Sequence, residues 1–195
     1  AIAALSAAAA SVPGVEVMPL KVKYPQGGEK QLIEAVTGRK VPSGALPVAT
    51  GAIVQNVATA LAVERAVVYG EPLIERVMTF VSPLKAGNYR VTLGTSMRDI
   101  AGELPPEIGK IIVGGPMMGR SASNLDTPVV KAMSGLLLFP LDESHRPPME
   151  PCIRCGACVD ACPMGLEPYL LSTLSRLHRF DEAKEQKIAN CIMCG

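Results

Sequence analysis

Cys152-Ile153-Arg154-Cys155-Gly156-Ala157-Cys158-Val159-Asp160-Ala161-Cys162-Pro163 is the stretch on which the reading of this 195-residue chain turns. Its spacing is C-x2-C-x2-C-x3-C-P without a mismatch. Three thiolates two residues apart let a tight loop wrap three iron corners of one cubane, while a helical turn carries the fourth away to a second cluster. Gly156 and Ala157 leave backbone N–H groups free to approach the sulfurs, which influences reduction potential. Pro163 then ends the turn. Further on, Cys191-Ile192-Met193-Cys194-Gly195 repeats the opening of the motif down to Cys-Ile-x-Cys-Gly. No longer internal repeat is present.

All six cysteines lie between Cys152 and Cys194. A disulfide scaffold would distribute its bridges over the fold it staples, so the clustering points to a metal site in a reducing, cytosolic compartment. Paired C-x2-C is also zinc spacing, and a structural zinc knuckle is the plainer reading. Zinc needs four ligands, however, and six cysteines with a proline after the fourth exceed that need. Dithiol redox chemistry would leave the remaining cysteines redundant. On the two-cluster pattern of bacterial ferredoxins, Cys152, Cys155 and Cys158 serve one 4Fe-4S cluster and Cys162, Cys191 and Cys194 the other. Each set is one ligand short, and the missing cysteines are expected beyond Gly195. Helix-forming sequence, Tyr169 to Ile188, separates the two motifs, which predicts an α-helical ferredoxin domain.

Outward from this segment, composition excludes other classes. With 48% hydrophobic residues, 18 Gly and 17 Pro, the chain is globular in composition. Nineteen Lys and Arg balance eighteen Asp and Glu, leaving no single-sign field to hold a phosphate backbone. Four Tyr, three Phe and no Trp offer little for base stacking, so nucleic acid is a poor partner. Val41 to Val63 carries no formal charge, but Pro42, Ser43, Gly44, Pro47, Gln55 and Asn56 interrupt it, and no transmembrane segment is predicted. Ala1 to Ala10 has neither an initiator Met nor a basic leader, and is expected to be the interior of a longer protein.

Three regions are expected. Residues 1–70 read as α/β: a helix over Ala1 to Ser11, a buried strand over Val15 to Leu20, the turn Tyr24-Pro25-Gln26-Gly27-Gly28, a helix over Glu29 to Thr37 closed by Gly38, and a helix near Asn56 to Val68 closed by Gly70. Residues 71–143 read as a small α+β module. Its strands are expected at Leu73 to Val81, Asn88 to Leu93, Ile111 to Val113 and Leu136 to Phe139, with a short helix capped by Thr95 or Ser96 and ended by Gly102. His145-Arg146-Pro147-Pro148 is a stiff polar linker into the cysteine segment, 144–195. The fold class is thus a multidomain combination of α/β and α+β parts with an α-helical ferredoxin domain.

Tyr24-Pro25-Gln26-Gly27-Gly28-Glu29-Lys30-Gln31-Leu32, Val41-Pro42-Ser43-Gly44, Val54-Gln55-Asn56-Val57-Ala58-Thr59, Gly114-Gly115-Pro116-Met117-Met118-Gly119 and the paired cysteine motifs, in that order, closely resemble the C subunit of the Rnf ion-translocating electron transport complex. That family is similar to the flavoprotein subunit of respiratory complex I. The resemblance implies a partial FMN-binding and NADH-binding domain over 1–70, an SLBB-type β-grasp domain over 71–143, and two 4Fe-4S clusters over 144–195. It implies electron transfer between NADH or ferredoxin, FMN and the clusters, membrane subunits that pump Na⁺ or H⁺ as partners, and a peripheral position on the cytoplasmic face of the bacterial inner membrane. It places Gly27, Gly28, Glu29, Lys30, Asn56 and Thr59 along the flavin site and assigns no catalytic residue. The family's glycine-rich flavin loop would lie before Ala1, so this chain alone is expected to bind FMN weakly.

The residues themselves allow this. A glycine turn opening a helix presents N–H groups to a phosphate, Lys30 adds a positive charge, and Asn56 can bond a flavin edge or ribityl hydroxyl. They equally allow a plain turn at Gly27-Gly28 and a plain helix cap at Asn56. Met117 and Met118 read as core filler. His145 and His178 read as exposed or capping residues. Asp181 to Lys187 reads as the solvated face of the connecting helix. A cobalamin reductase of propanediol-utilising microcompartments is the enzymatic alternative by resemblance, and a zinc-stabilised interaction module the non-enzymatic one.

Overall fold

The computed structural model describes residues 2–104, 107–145 and 147–194. The chain divides into two compact units, Ala1–Val54 with Ala157–Cys191, and Gln55–Gly156 with Ile192–Gly195. Among the described residues, no helix is long and apolar enough to cross a membrane.

In the first unit, helix α1 spans Ile2–Ala9 and α2 spans Glu29–Thr37. α2 begins and ends where the glycines stand: Gly28 is its N-cap, and Gly38, at φ 70°, donates its N–H to Glu34 O to close it. The expected buried strand over Val15 to Leu20 does not form. That segment has no regular structure and joins no sheet, and Val15 and Met18 are 53% and 45% exposed. An apolar run supplies half a strand; the other half is a neighbouring edge to pair with. Ile33 and Pro47 are the buried residues of 2–54.

The single helix expected over Tyr169 to Ile188 is instead two, α6 (Pro168–Arg176) and α7 (Phe180–Glu185), after the short α5 (Ala157–Ala161). His178 takes a left-handed φ of 55° and donates its N–H to Ser175 O, while the Arg179 N–H reaches back to Leu174 O. This reversal folds Ala183 onto Leu166, Leu171 and Leu174, a small apolar core that a continuous helix would have drawn apart along its axis. Arg179 forms a paired contact with both Glu182 carboxylate oxygens, and Lys184 bonds Asp181 at 3.0 Å. The hydrogen bonds that Arg179 donates to Glu182, and that carboxylate's charge, hold the guanidinium above its usual range. These charges face solvent, as expected of the run from Asp181. On the same unit, Gln31 Nε2 donates to Met164 Sδ at 3.3 Å, linking α2 to the turn after Cys162.

The second unit opens with α3 (Val57–Tyr69), capped by Asn56 and closed by Gly70. α3 is mostly apolar, with Glu64 and Arg65 its charged residues, and buries no residue; Val57 and Val67 are 80% and 79% exposed. A five-stranded sheet follows, built from β1 (Glu75–Val81), β2 (Ala86–Thr92), β3 (Ile108–Val113), β4 (Arg120–Ala122) and β5 (Gly135–Pro140), in the order β2-β1-β5-β3-β4. β1 and β2 form a hairpin with Glu75 opposite Thr92 and Val81 opposite Ala86. Its turn is held by the Ser82 hydroxyl, which accepts from the Leu84 and Lys85 N–H groups. β1 pairs with β5 in parallel, and β3 with β5 in antiparallel.

β5 is central, and Gly135 to Leu138 are all buried. Helix α4 (Met97–Ala101), capped by the Ser96 hydroxyl on the Arg98 N–H, sinks Met97 and Ala101 into the core beside Met78, Phe80, Val129 and Leu136. β4 has no counterpart among the expected strands, because its short polar run carries no alternation. Met117 and Met118 are exposed rather than core filler, since the loop from Gly114 to Gly119 turns outward between β3 and β4. At Gly119 a Cβ would collide with Gly115 O and the Ile112 side chain, so the tightness of this turn requires glycine. Arg146, within the expected linker, lies outside the described residues; 147–156 has no regular structure.

Phe80 is fully buried, whereas Val22 is fully exposed. Phe80→Ala is expected to lower the unfolding free energy by about 3–5 kcal/mol, and Val22→Ala to change it by less than about 0.5 kcal/mol, both read from urea unfolding.

Candidate functional site

Local backbone geometry sets the cysteines. Cys152 and Cys155 lie in the irregular approach to α5, Cys158 on α5, and Cys162 just after it. The Cys162 N–H donates to Val159 O at 3.1 Å, and its Sγ accepts the Leu166 N–H at 3.4 Å. Cys152 Sγ accepts the Arg154 N–H, also at 3.4 Å. Cys191 ends a 3₁₀ turn, Ile188–Asn190. Cys152, Cys155, Cys158 and Cys191 are exposed, and Cys162 and Cys194 are half-buried.

The sequence repeat is also a backbone repeat. In Cys-Ile-x-Cys-Gly the residue before the second cysteine is left-handed in both copies, Arg154 at φ 57° and Met193 at φ 50°. Neither is glycine, and non-glycine residues adopt this region rarely. The N–H groups of Arg154 and Leu166 face cysteine sulfurs. The repeated pentapeptide was the available signal for the first, and Leu166 had none.

The donor set fits iron-sulfur clusters in its chemistry: soft thiolates on short loops with backbone N–H groups turned toward sulfur. Among the described residues, no three His, Cys, Asp or Glu side chains form a group able to hold a metal ion.

Of the residues expected along a flavin, Gly28 supplies the N-cap of α2 with no side-chain cap, leaving the first-turn N–H groups open to an acceptor. Gly27 and Glu29 are exposed, and Lys30 is half-buried. These four belong to the first unit; Asn56 and Thr59, both exposed, belong to the second. Asn56 Oδ1 accepts the Ala58 N–H at 2.9 Å, so the carbonyl side of this amide works as a helix cap. His145 is exposed, beside an open 730 Å³ cavity with Glu107 and Asp142. His178 is exposed, one of the two roles expected of it, and meets Phe180 edge-on just after the C-cap of α6, Leu177.

Two family models match the chain: the Nuo51 FMN-binding domain over residues 1–65 and the 4Fe-4S dicluster domain over residues 148–195. Among curated proteins, the C subunit of the proton-translocating ferredoxin:NAD(+) oxidoreductase complex of Clostridium ljungdahlii is 46% identical over 88% of this chain and 39% of its own length. The C subunit of the ion-translocating oxidoreductase complex of Yersinia enterocolitica is 40% identical over 96% of this chain and 28% of its own length. Its counterpart in Erwinia tasmaniensis is 42% identical over 97% of the chain and 24% of its own length. The chain thus spans well under half the length of the curated relatives it matches. With the ordered motifs, the paired cysteine loops and identity along nearly all its length, the chain is similar throughout to the C subunits of Rnf-type ion-translocating oxidoreductase complexes.

Proposed function

We propose that this chain is the electron-carrying segment of an Rnf-type C subunit, passing electrons between FMN and two 4Fe-4S clusters within a membrane-bound oxidoreductase. The observation that carries this reading is the C-x2-C-x2-C-x3-C-P run followed by a second Cys-Ile-x-Cys-Gly loop with the same left-handed turn. Cys152, Cys155 and Cys158 would hold one cluster and Cys162, Cys191 and Cys194 the other, each completed by one further cysteine of the longer protein. The clusters supply one-electron transfer, and FMN couples it to a two-electron donor such as NADH. The chain's own part is to fix the thiolates on short loops and to point N–H groups at sulfur.

Within the same reading, 1–70 contributes to an FMN-binding domain, 71–143 is an SLBB-type β-grasp domain, and 144–195 is a ferredoxin domain. The mixed sheet with one helix, α4, packed into its core supports the β-grasp assignment. The open N-terminal turn of α2 with Lys30 beside it supports a phosphate or flavin contact at Gly27 to Lys30. Asn56 and Thr59 line the flavin from the start of α3. NADH or ferredoxin exchanges electrons with the protein, integral membrane subunits move Na⁺ or H⁺, and this subunit sits peripherally on the cytoplasmic face. The relatives' names favour this over a cobalamin reductase.

Iron and acid-labile sulfide, measured anoxically on the full-length protein, are expected at about eight of each per chain; one zinc without sulfide would overturn the assignment. Cys155→Ser is expected to remove one cluster, halving both values, with loss of one set of EPR signals in the reduced state. Asn56→Ser keeps a capping oxygen and is expected to hold stability within a few tenths of a kcal/mol, whereas Asn56→Ala costs about 1 kcal/mol. Both are expected to lower FMN content, and an unchanged flavin absorbance in Asn56→Ser would remove Asn56 from the site.

A further inference from the structure

The two Cys-Ile-x-Cys-Gly loops share one left-handed turn but differ in charge at it. Arg154 stands in the first loop and Met193 in the second, both left-handed and one residue before a cysteine. Arg154 is exposed and makes no ion pair among the described residues, and its N–H is bonded to Cys152 Sγ. Met193 is 78% exposed. The left-handed turn fixes the Cα of either residue within its own Cys-Ile-x-Cys-Gly loop, so the two five-residue loops share one turn, with a unit positive charge on the first and none on the second. A cluster gains negative charge on reduction, and a nearby cation stabilises the reduced form.

We propose that Arg154 is a positioning residue for electrons: its guanidinium raises the reduction potential of the site built on Cys152 and Cys155 relative to the site built on Cys191 and Cys194. This rests on the iron-sulfur reading above. One electron moving from the second site to the first oxidises the second and reduces the first, with no proton or bond exchanged, and the Arg154 charge favours that direction. Because the side chain is exposed, the effect is modest and salt-sensitive. Met at position 193 already occupies the same φ region, so exchanging the two residues asks no new backbone conformation of either loop.

The test is a reciprocal exchange in the full-length protein, with potentials read by EPR-monitored redox titration. Arg154→Met is expected to lower one of the two potentials by up to about a tenfold change in the one-electron equilibrium, about 59 mV. Met193→Arg is expected to raise the other by a similar amount, and Arg154→Lys to keep the wild-type value. The shifts should shrink between about 0.05 and 1 M salt. Iron and sulfide are measured on every variant. A protein without sulfide defeats the iron-sulfur reading itself. Full iron content with both potentials unmoved, or both exchanges moving the same potential, defeats the role of Arg154 alone. Should Arg154→Met lose iron, Met193→Arg decides the matter: an unmoved second potential overturns the proposal.

Discussion

Burial of one strand organises the second unit. β5 lies between β1 and β3 with Leu136, Leu137 and Leu138 buried, and α4 presses Met97 and Ala101 into the core that Leu136 and Leu138 share with Phe80. A strand covered on both faces cannot alternate polar and apolar residues, and its sequence reads as a continuous apolar run. From this follow the parallel pairing with β1, the tight outward loop from Gly114 to Gly119 and the exposure of Met117 and Met118 on it. No comparable core forms around the helices of 2–70. α3, mostly apolar with Glu64 and Arg65 on its surface, is exposed.

The cysteine segment is organised by a different kind of force. Its geometry comes from short-range backbone turns and N–H···S bonds, with only the small cluster around Leu171, Leu174 and Ala183 packed behind it. Such a segment can carry a ligand pattern almost independently of the fold around it, because each loop is specified by a handful of residues. Repetition of the left-handed turn at Arg154 and Met193 shows the same local rule operating twice. It also makes the charge difference between the two loops a property of a single side chain.

Helix ends are the most legible part of the fold. Gly38, Gly70 and Gly102 stand at the C-caps, and Asn56 and Ser96 at the N-caps, because capping is a contact within one turn and its partners are sequence neighbours. The β1–β2 hairpin is legible for the same reason. Where the outcome depends on a distant partner, sequence pattern misleads. Val15 to Leu20 has strand composition but no edge to join. Tyr169 to Ile188 has helical composition but breaks at His178, so that Ala183 reaches Leu171 and Leu174.

For the site, the sequence alone determined the identity of the donors, their spacing and hence the metal chemistry they suit, since these are fixed by covalent order along a few residues. It also carried the resemblance to the Rnf-type C subunits, through motifs in series. Only the tertiary structure decided which N–H groups face sulfur, that Asn56 spends its carbonyl on a helix cap, and that Arg154 and Met193 occupy equivalent turns. Those depend on backbone dihedrals and on atoms meeting in space, and side-chain identity leaves several such arrangements close in energy until packing selects one.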